Sequence, residues 1–493
     1  MKRHVARTAI ALPLAARRRI VALLTFCLTV LTPAWAQAHG TLKSSVPAAG
    51  AHLSVAPTGL RLTFTESPEL TFTTITLRAP AGSAVSLGPV QIAPDSRRAI
   101  VVAVQGTLAA GTYTVEWKTA GADGHPVTGR FDFTIAPGAQ GLGAASAAPA
   151  SGGGAPALAP MAHEDPTALP SRDAGFDAES PLYVAVRWLL YAGLLTVVGA
   201  VALQFVVLAF LRRMQRSGSP VGSIVGDRTA AVGLAGAALV GGAVVLRLYA
   251  QSVAMHGAAR AFDRPLVAAM LTTTTWGRGW LLQVVSLVAA LAGFWFARRG
   301  GRAAWGLAAI GAVGLAFTPA LSGHAASAPT LTTLAILADA LHVVGAGGWL
   351  GSLLVLLLVG IPAALRLEEG ERGPGVAALV NAFSPTALAF AGLTATTGVF
   401  AAWLHVGTVS ALWQTTYGKT LLLKLAILSI VAATGAYNWR RIKPSLADAR
   451  SAVRLRRSAT IEVAVGVLVL VVTAVLVATP TGMAQMAEKT MGQ

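Results

Sequence analysis

At 493 residues, 54% hydrophobic and only 12% charged, the chain is too long and too apolar to be one soluble domain. Its formal charge of +18 invites a nucleic-acid reading, but lysine and arginine cluster in short segments between apolar runs, the distribution of a membrane protein. The one cysteine, Cys27, falls in the first apolar run, so disulfides and thiolate ligands are excluded for the rest of the chain, and a metal there needs nitrogen, oxygen or thioether.

Arginines up to Arg19, an apolar stretch from Ile20 to Leu31 and the triplet Ala36-Gln37-Ala38 read as a secretory signal peptide over residues 1–38. Cleavage there makes His39 the new terminus, where an α-amine and an imidazole on one residue can chelate one ion. Residues 39–136 alternate in strand fashion: Leu60, Leu62 and Phe64; Tyr113, Val115 and Trp117; Phe131, Phe133 and Ile135. Period two with Gly and Pro punctuation predicts a small Ig-like Greek-key β-sandwich or barrel. Within it, Asp123-Gly-His125 offers a carboxylate and a second imidazole two residues apart. Nitrogen-rich ligation with one carboxylate oxygen, in tetragonal geometry, suits Cu(II). Asp123 could instead orient a ligating imidazole by hydrogen bonding. His52 reads as a surface residue and Glu66 as structural, with metal ligation the alternative for each.

Residues 137–180 are rich in Ala, Gly and Pro without periodicity, a flexible linker. Its Met161-Ala-His163-Glu164-Asp165 reads as a solvated motif, with copper relay as the alternative. From 181 to 480 eight runs are long enough to cross a bilayer, at about 182–211, 229–254, 279–297, 303–321, 331–361, 375–403, 417–438 and 458–479. The fifth and sixth exceed the need, so tilt or extension is expected. With the β-domain exported, the arginine-rich loops near Arg212, Arg298, Arg366 and Arg440 fall inside, as the positive-inside rule asks. The tail, 481–493, then lies outside. It carries Met483, Met486 and Met491, a weak soft-metal signal.

Four histidines mark the membrane half. His256, His324 and His405 fall at the outer ends of the second, fourth and sixth spans, and His342 two to three turns into the fifth. Ionisable residues at membrane depth usually face the bundle interior and mark a site or pathway. Met255 could add a thioether for Cu(I). Asp339, three residues before His342, shares its helix face. It either supports the imidazole or pairs with Arg247, Lys419 or Lys424. Glu462 in the eighth span also needs a partner, for which Lys424 is a candidate. The glycines from Gly345 to Gly351 read as a close helix contact.

Several motifs together resemble the periplasmic copper-resistance protein CopC: His39-Gly-x-Leu-x-x-Ser-x-Pro-Ala-x-Gly50, Phe64-Thr-Glu66, Gly111-Thr-Tyr-x-Val-x-Trp117 and Asp123-Gly-His125-Pro-x-Thr-Gly129. Ser322-Gly-His324, Asp339-Ala-Leu-His342-x-x-Gly-Ala-x-x-Trp349-x-Gly351, Tyr417-Gly-Lys419 and Lys424 resemble its inner-membrane partner CopD. The chain thus looks like a CopC–CopD fusion. The resemblance implies a Cu(II) site at His39, Asp123 and His125. It does not bring the methionine-rich Cu(I) loop of some members, because residues 39–135 contain no methionine.

The expectation is a non-enzymatic copper importer of a bacterial inner membrane, multi-pass, with the N-terminal domain and the C-terminus in the periplasm. The metal ligands expected are His39, Asp123 and His125 for Cu(II), and His256, His324, His342 and His405 in the bundle, where Cu(I) is the candidate ion. Copper ions and the bilayer are the partners, with periplasmic or cytoplasmic copper chaperones as further candidates. The direction comes from the resemblance alone. No Gly-x-x-x-x-Gly-Lys-Ser/Thr loop and no Asp-Lys-Thr-Gly motif occurs, so ATP is not expected to drive it. A haem-linked cupric reductase and a periplasmic sequestering protein are the alternatives. A polysaccharide-attacking copper monooxygenase, which also uses an N-terminal histidine, fits an eight-span bundle poorly.

Overall fold

The computed structural model describes residues 42–64, 67–120, 126–137, 180–214, 221–321, 323, 325, 331–438, 440, 449–479, 481–483 and 485–486. The leader, His39, Glu66, Asp123, His125, His163 and His324 lie outside the described residues.

Among the described residues nine strands form two sheets. One runs β1 (Leu42–Val46), β3 (Gly59–Phe64), β7 (Ser96–Ala103) and β6 (Gln91–Ala93). The other runs β2 (His52–Leu53), β9 (Pro126–Ile135), β8 (Gly111–Ala120), β4 (Thr74–Arg78) and β5 (Ala84–Val85). The pairings are antiparallel except β2 with β9. Because successive strand residues face opposite ways, the alternating apolar positions all turn inward. Leu60, Leu62, Phe64, Tyr113, Val115, Trp117, Phe131, Phe133 and Ile135 are buried in one core. Each large side chain withdrawn from water is worth roughly 1.5–3 kcal/mol. Phe64 meets Trp117 edge-on at 5.1 Å, joining the two sheets, and Tyr113 stacks on Phe133 at 5.6 Å.

Eight helices are long and apolar enough to cross a membrane: α1 (Pro181–Met214), α2 (Val225–His256), α3 (Thr275–Ala297), α4 (Ala304–Leu321), α5 (Thr332–Ala364), α6 (Glu369–Val406), α7 (Thr416–Tyr437) and α8 (Arg456–Ala478). The fifth and sixth exceed the expected lengths, and so do α1 and α2, at 34 and 32 residues. α3 starts four residues earlier than its apolar run because the Thr274 hydroxyl accepts from Gly277 N at 2.9 Å, a side-chain cap. α1 and α5 are the most enclosed of the eight. Both carry π-helical turns, at Leu203–Val207 in α1 and at Gly347–Gly351 and Leu356–Gly360 in α5. The last lies just before Pro362, whose ring collides with the carbonyl four residues back and so favours a widened turn. The glycine run makes the close contact its composition suggests. A Cβ on Gly351 would lie 1.9 Å from the Leu195 carbonyl oxygen, and one on Gly199 would lie 2.1 Å from the Gly351 carbonyl carbon.

Candidate metal sites

His39, Asp123 and His125 are reached only through their scaffold. β8 ends at Ala120 and β9 begins at Pro126, and these two residues pair, so 121–125 close a hairpin. β1 begins three residues after His39, with Leu42 paired to Phe64. Phe64 in turn touches Trp117, three residues before the end of β8. The start of β1, the end of β8 and the start of β9 therefore lie at one end of the sandwich. His52 is exposed and pairs with Thr134, eight residues along β9 from Pro126. At the strand rise that is roughly 26 Å from the start of β9, which favours its surface reading.

Part of the motif set is packing. Trp117 and Gly129 face each other across β8 and β9, and a Cβ on Gly129 would lie 2.4 Å from the indole Cζ2. Only glycine leaves room for that ring.

In the bundle, the geometry around His342 is the most informative. Its Nδ1 lies 3.1 Å from Thr397 Oγ1 on α6. The Thr397 hydroxyl has one proton, and it lies 2.7 Å from the Leu393 carbonyl oxygen, to which it donates. With that proton on the Leu393 carbonyl, the imidazole donates from Nδ1, and the same tautomer leaves Nε2 with its lone pair as a metal ligand. Asp339, one turn before, is within electrostatic reach of Lys424 and Tyr417 on α7 and Tyr191 on α1. Lys424 also reaches His342. Of the three cations considered for Asp339, Lys424 is thus the neighbour. Arg247 turns elsewhere: it donates to Gln283 Oε1 at 2.9 Å, and Gln283 continues to Thr318, linking α2, α3 and α4. Glu462 accepts from Asn438 Nδ2, not from Lys424.

His256 closes α2 beside the β-domain. Its Nδ1 lies 3.3 Å from Ser252 Oγ, and its ring is 6.1 Å from that of Phe72. It lines a cavity of about 300 Å³ with Met255, Thr71, Thr74, Lys118 and Arg260. Met255 also packs in an apolar cluster with Ala120, Met270 and Trp276. His405 ends α6, half-buried. Among the described residues no three His, Cys, Asp or Glu side chains are placed to hold one metal ion. His256 and His405 end α2 and α6, and His342 lies within α5. In the tail, Met486 packs against the cluster of Val406, Ala411, Tyr417 and Leu421, which favours a structural role.

Thr397 and Asn438 are contacts that residue-type reasoning missed. Thr397 is a neutral residue inside an apolar helix and Asn438 a neutral residue just past the end of α7, so neither carries a local signal.

Three family models match the chain: CopC domain at residues 42–136, Copper resistance protein D-like, N-terminal domain at 177–333, and Copper resistance protein D at 377–476. The chain is 26% identical over 461 residues to the Copper transport protein CutJ of Bacillus subtilis (strain 168), covering 92% of this chain and 76% of that protein. It is 37% identical over 106 residues to Copper resistance protein C of Escherichia coli, covering 20% of this chain and 83% of that protein. It is 29% identical over 303 residues to Copper resistance protein D of Pseudomonas syringae pv. tomato, covering 59% and 94%.

Proposed function

The chain belongs to the CopC and CopD copper-resistance families and joins their domains in one polypeptide; on that premise we propose that it captures periplasmic copper and carries it inward across the bacterial inner membrane. The β-domain takes Cu(II) through His39, Asp123 and His125, a nitrogen and oxygen set suited to that ion. The linker from 137 to 180 keeps this domain at high effective concentration near the bundle. Copper then enters among His256, His324, His342 and His405, with Cu(I) as the candidate ion, and passes to cytoplasmic acceptors. The arginine-rich loops support a topology with both the β-domain and the C-terminus in the periplasm.

The observation that carries the transport reading is His342. A histidine inside a bundle, with Nδ1 committed to Thr397 and Nε2 open, beside a carboxylate one turn away, is equipped to bind a metal at membrane depth. The test is copper entry into liposomes holding the purified protein, with Cu(I) and Cu(II) supplied separately. Saturable entry that is lost in His324→Ala/His342→Ala supports the reading and identifies the ion. If neither ion enters while the protein still binds copper, the function is sequestration or, where a Soret band accompanies the purified protein, haem-linked reduction.

A further inference from the structure

Two helix ends open where the bundle meets the β-domain: the C-terminus of α2 at Met255 and His256, and the N-terminus of α3 at Thr275. Each is met by a β-domain side chain of the matching sign. Lys118 Nζ on β8 donates to the Met255 carbonyl oxygen at 3.0 Å, and Glu69 Oε1 accepts from Thr275 N at 3.1 Å. Terminal carbonyls and N–H groups have no partner within their helix, and the helix dipole favours a cation at the first and an anion at the second. The opposite arrangement of charges would repel at both ends.

Lys118 holds this position against a cost. It is half-buried, and burial, with the Arg260 guanidinium nearby, pulls its ammonium below the usual lysine range. The contact is also more than charge. Ala120 is fully buried in a cluster with Met255, Met270 and Trp276, Phe72 packs on it, and Thr71 Oγ1 lies 3.3 Å from Thr273 Oγ1. The Glu69 backbone N–H donates to the Ala120 carbonyl at 2.9 Å, so the seated segment is tied to the strand end that leads into 121–125.

We propose that this seam is the working seat of the β-domain. Glu69 and Lys118 are its positioning residues, and docking there holds the Ala120 end of β8, the strand from which the chain runs on to Asp123 and His125, at the mouth of α2 and α3. The purpose of the seat rests on the transport reading above; its existence does not.

The chain's only cysteine makes the test clean. In a Cys27→Ser background, the pair Thr71→Cys/Thr273→Cys is compared in membranes with Thr112→Cys/Thr273→Cys, Thr112 being exposed at the other end of β8. A protease site introduced between residues 150 and 160 separates the halves unless a disulfide joins them, read on a non-reducing gel after tetrathionate. The first pair is expected to cross-link at least about ten times faster than the second. Glu69→Lys and Lys118→Glu should each slow it roughly three- to tenfold, whereas Lys118→Arg keeps the rate. Unfolding of the isolated β-domain variants checks that the substitutions leave its fold intact. A normal cross-link in a protein that moves no copper would support the seat and count against transport. Equal rates for the two pairs, or a rate indifferent to both charge reversals, would overturn the seat.

Discussion

Replacing Gly129 by alanine tests whether the motif glycine serves Trp117. The added Cβ would lie 2.4 Å from Cζ2, 2.7 Å from Cε2 and 3.0 Å from Nε1 of the indole. Ordinary contact begins near 3.4 Å, so the ring must retreat by about 1 Å. Behind it stands Phe64, edge-on at 5.1 Å and 1% exposed, which leaves little space to retreat into. Overpacking of this kind costs about 1–3 kcal/mol. For a domain of about 100 residues that lowers Tm by roughly 4–20 °C. The assay is thermal unfolding of the isolated domain, residues 39–136, followed by tryptophan fluorescence, since Trp117 is the only tryptophan in that stretch. Below the melt, Cu(II) stoichiometry should stay that of the parent, because the glycine packs and does not ligate. An unchanged Tm together with unchanged emission would refute the argument, since the ring could not then lie on the glycine.

Thr397→Val removes the acceptor for His342 Nδ1–H and should reduce copper entry by roughly 10- to 100-fold, with Thr397→Ser retaining most of it. Entry equal to the parent would mean that Thr397 does not orient the ring. Gly351→Ala places a Cβ against backbone, 1.9 Å from the Leu195 oxygen, so a thermal melt in detergent should show a loss of about 2 kcal/mol or more. Asp95 has a definite sign: the Arg61 guanidinium, hydrogen-bonded at 2.7 Å, holds its carboxyl below the ordinary range. The stabilisation is present above that range and disappears as pH falls through the lowered value, so Asp95→Asn should lose less stability than the parent between about pH 5 and 2. Identical acid profiles would remove Asp95 from the account.

The long strands β3, β8 and β9 were legible because one face is buried and the other is not, which imprints alternation on the sequence. Ala84–Val85 and Gln91–Ala93 left no such imprint, being too short for any period and held by their neighbours across the sheet. The eight spans could be read from length and hydropathy, and several of their ends with them, but the start of α3 could not, since Thr274 sets it through one local bond. At the candidate sites, residue type and spacing pointed to His342 and Asp339. Its support by Thr397, and the partnering of Glu462 by Asn438 in place of Lys424, join segments 55 and 24 residues apart. Lys118 is the sharper case: within β8 it looks like any polar residue on the outward face, and only the packed bundle gives it a carbonyl to bind.

Where α1 and α5 cross at Gly199 and Gly351, backbone meets backbone with no side chain between them. Side chains can switch rotamers to let helices slide, but a backbone in contact can only separate or stay. The two most enclosed helices are therefore expected to act as one fixed post, and any alternation of access between the two sides of the membrane must be carried by helices moving around it. α7, the least enclosed, is the first candidate for the moving part. Spin-label distances between α1 and α5 should hold constant with and without copper while those from α1 to α7 change. A copper-dependent shift in the α1–α5 distance would show that the post itself bends.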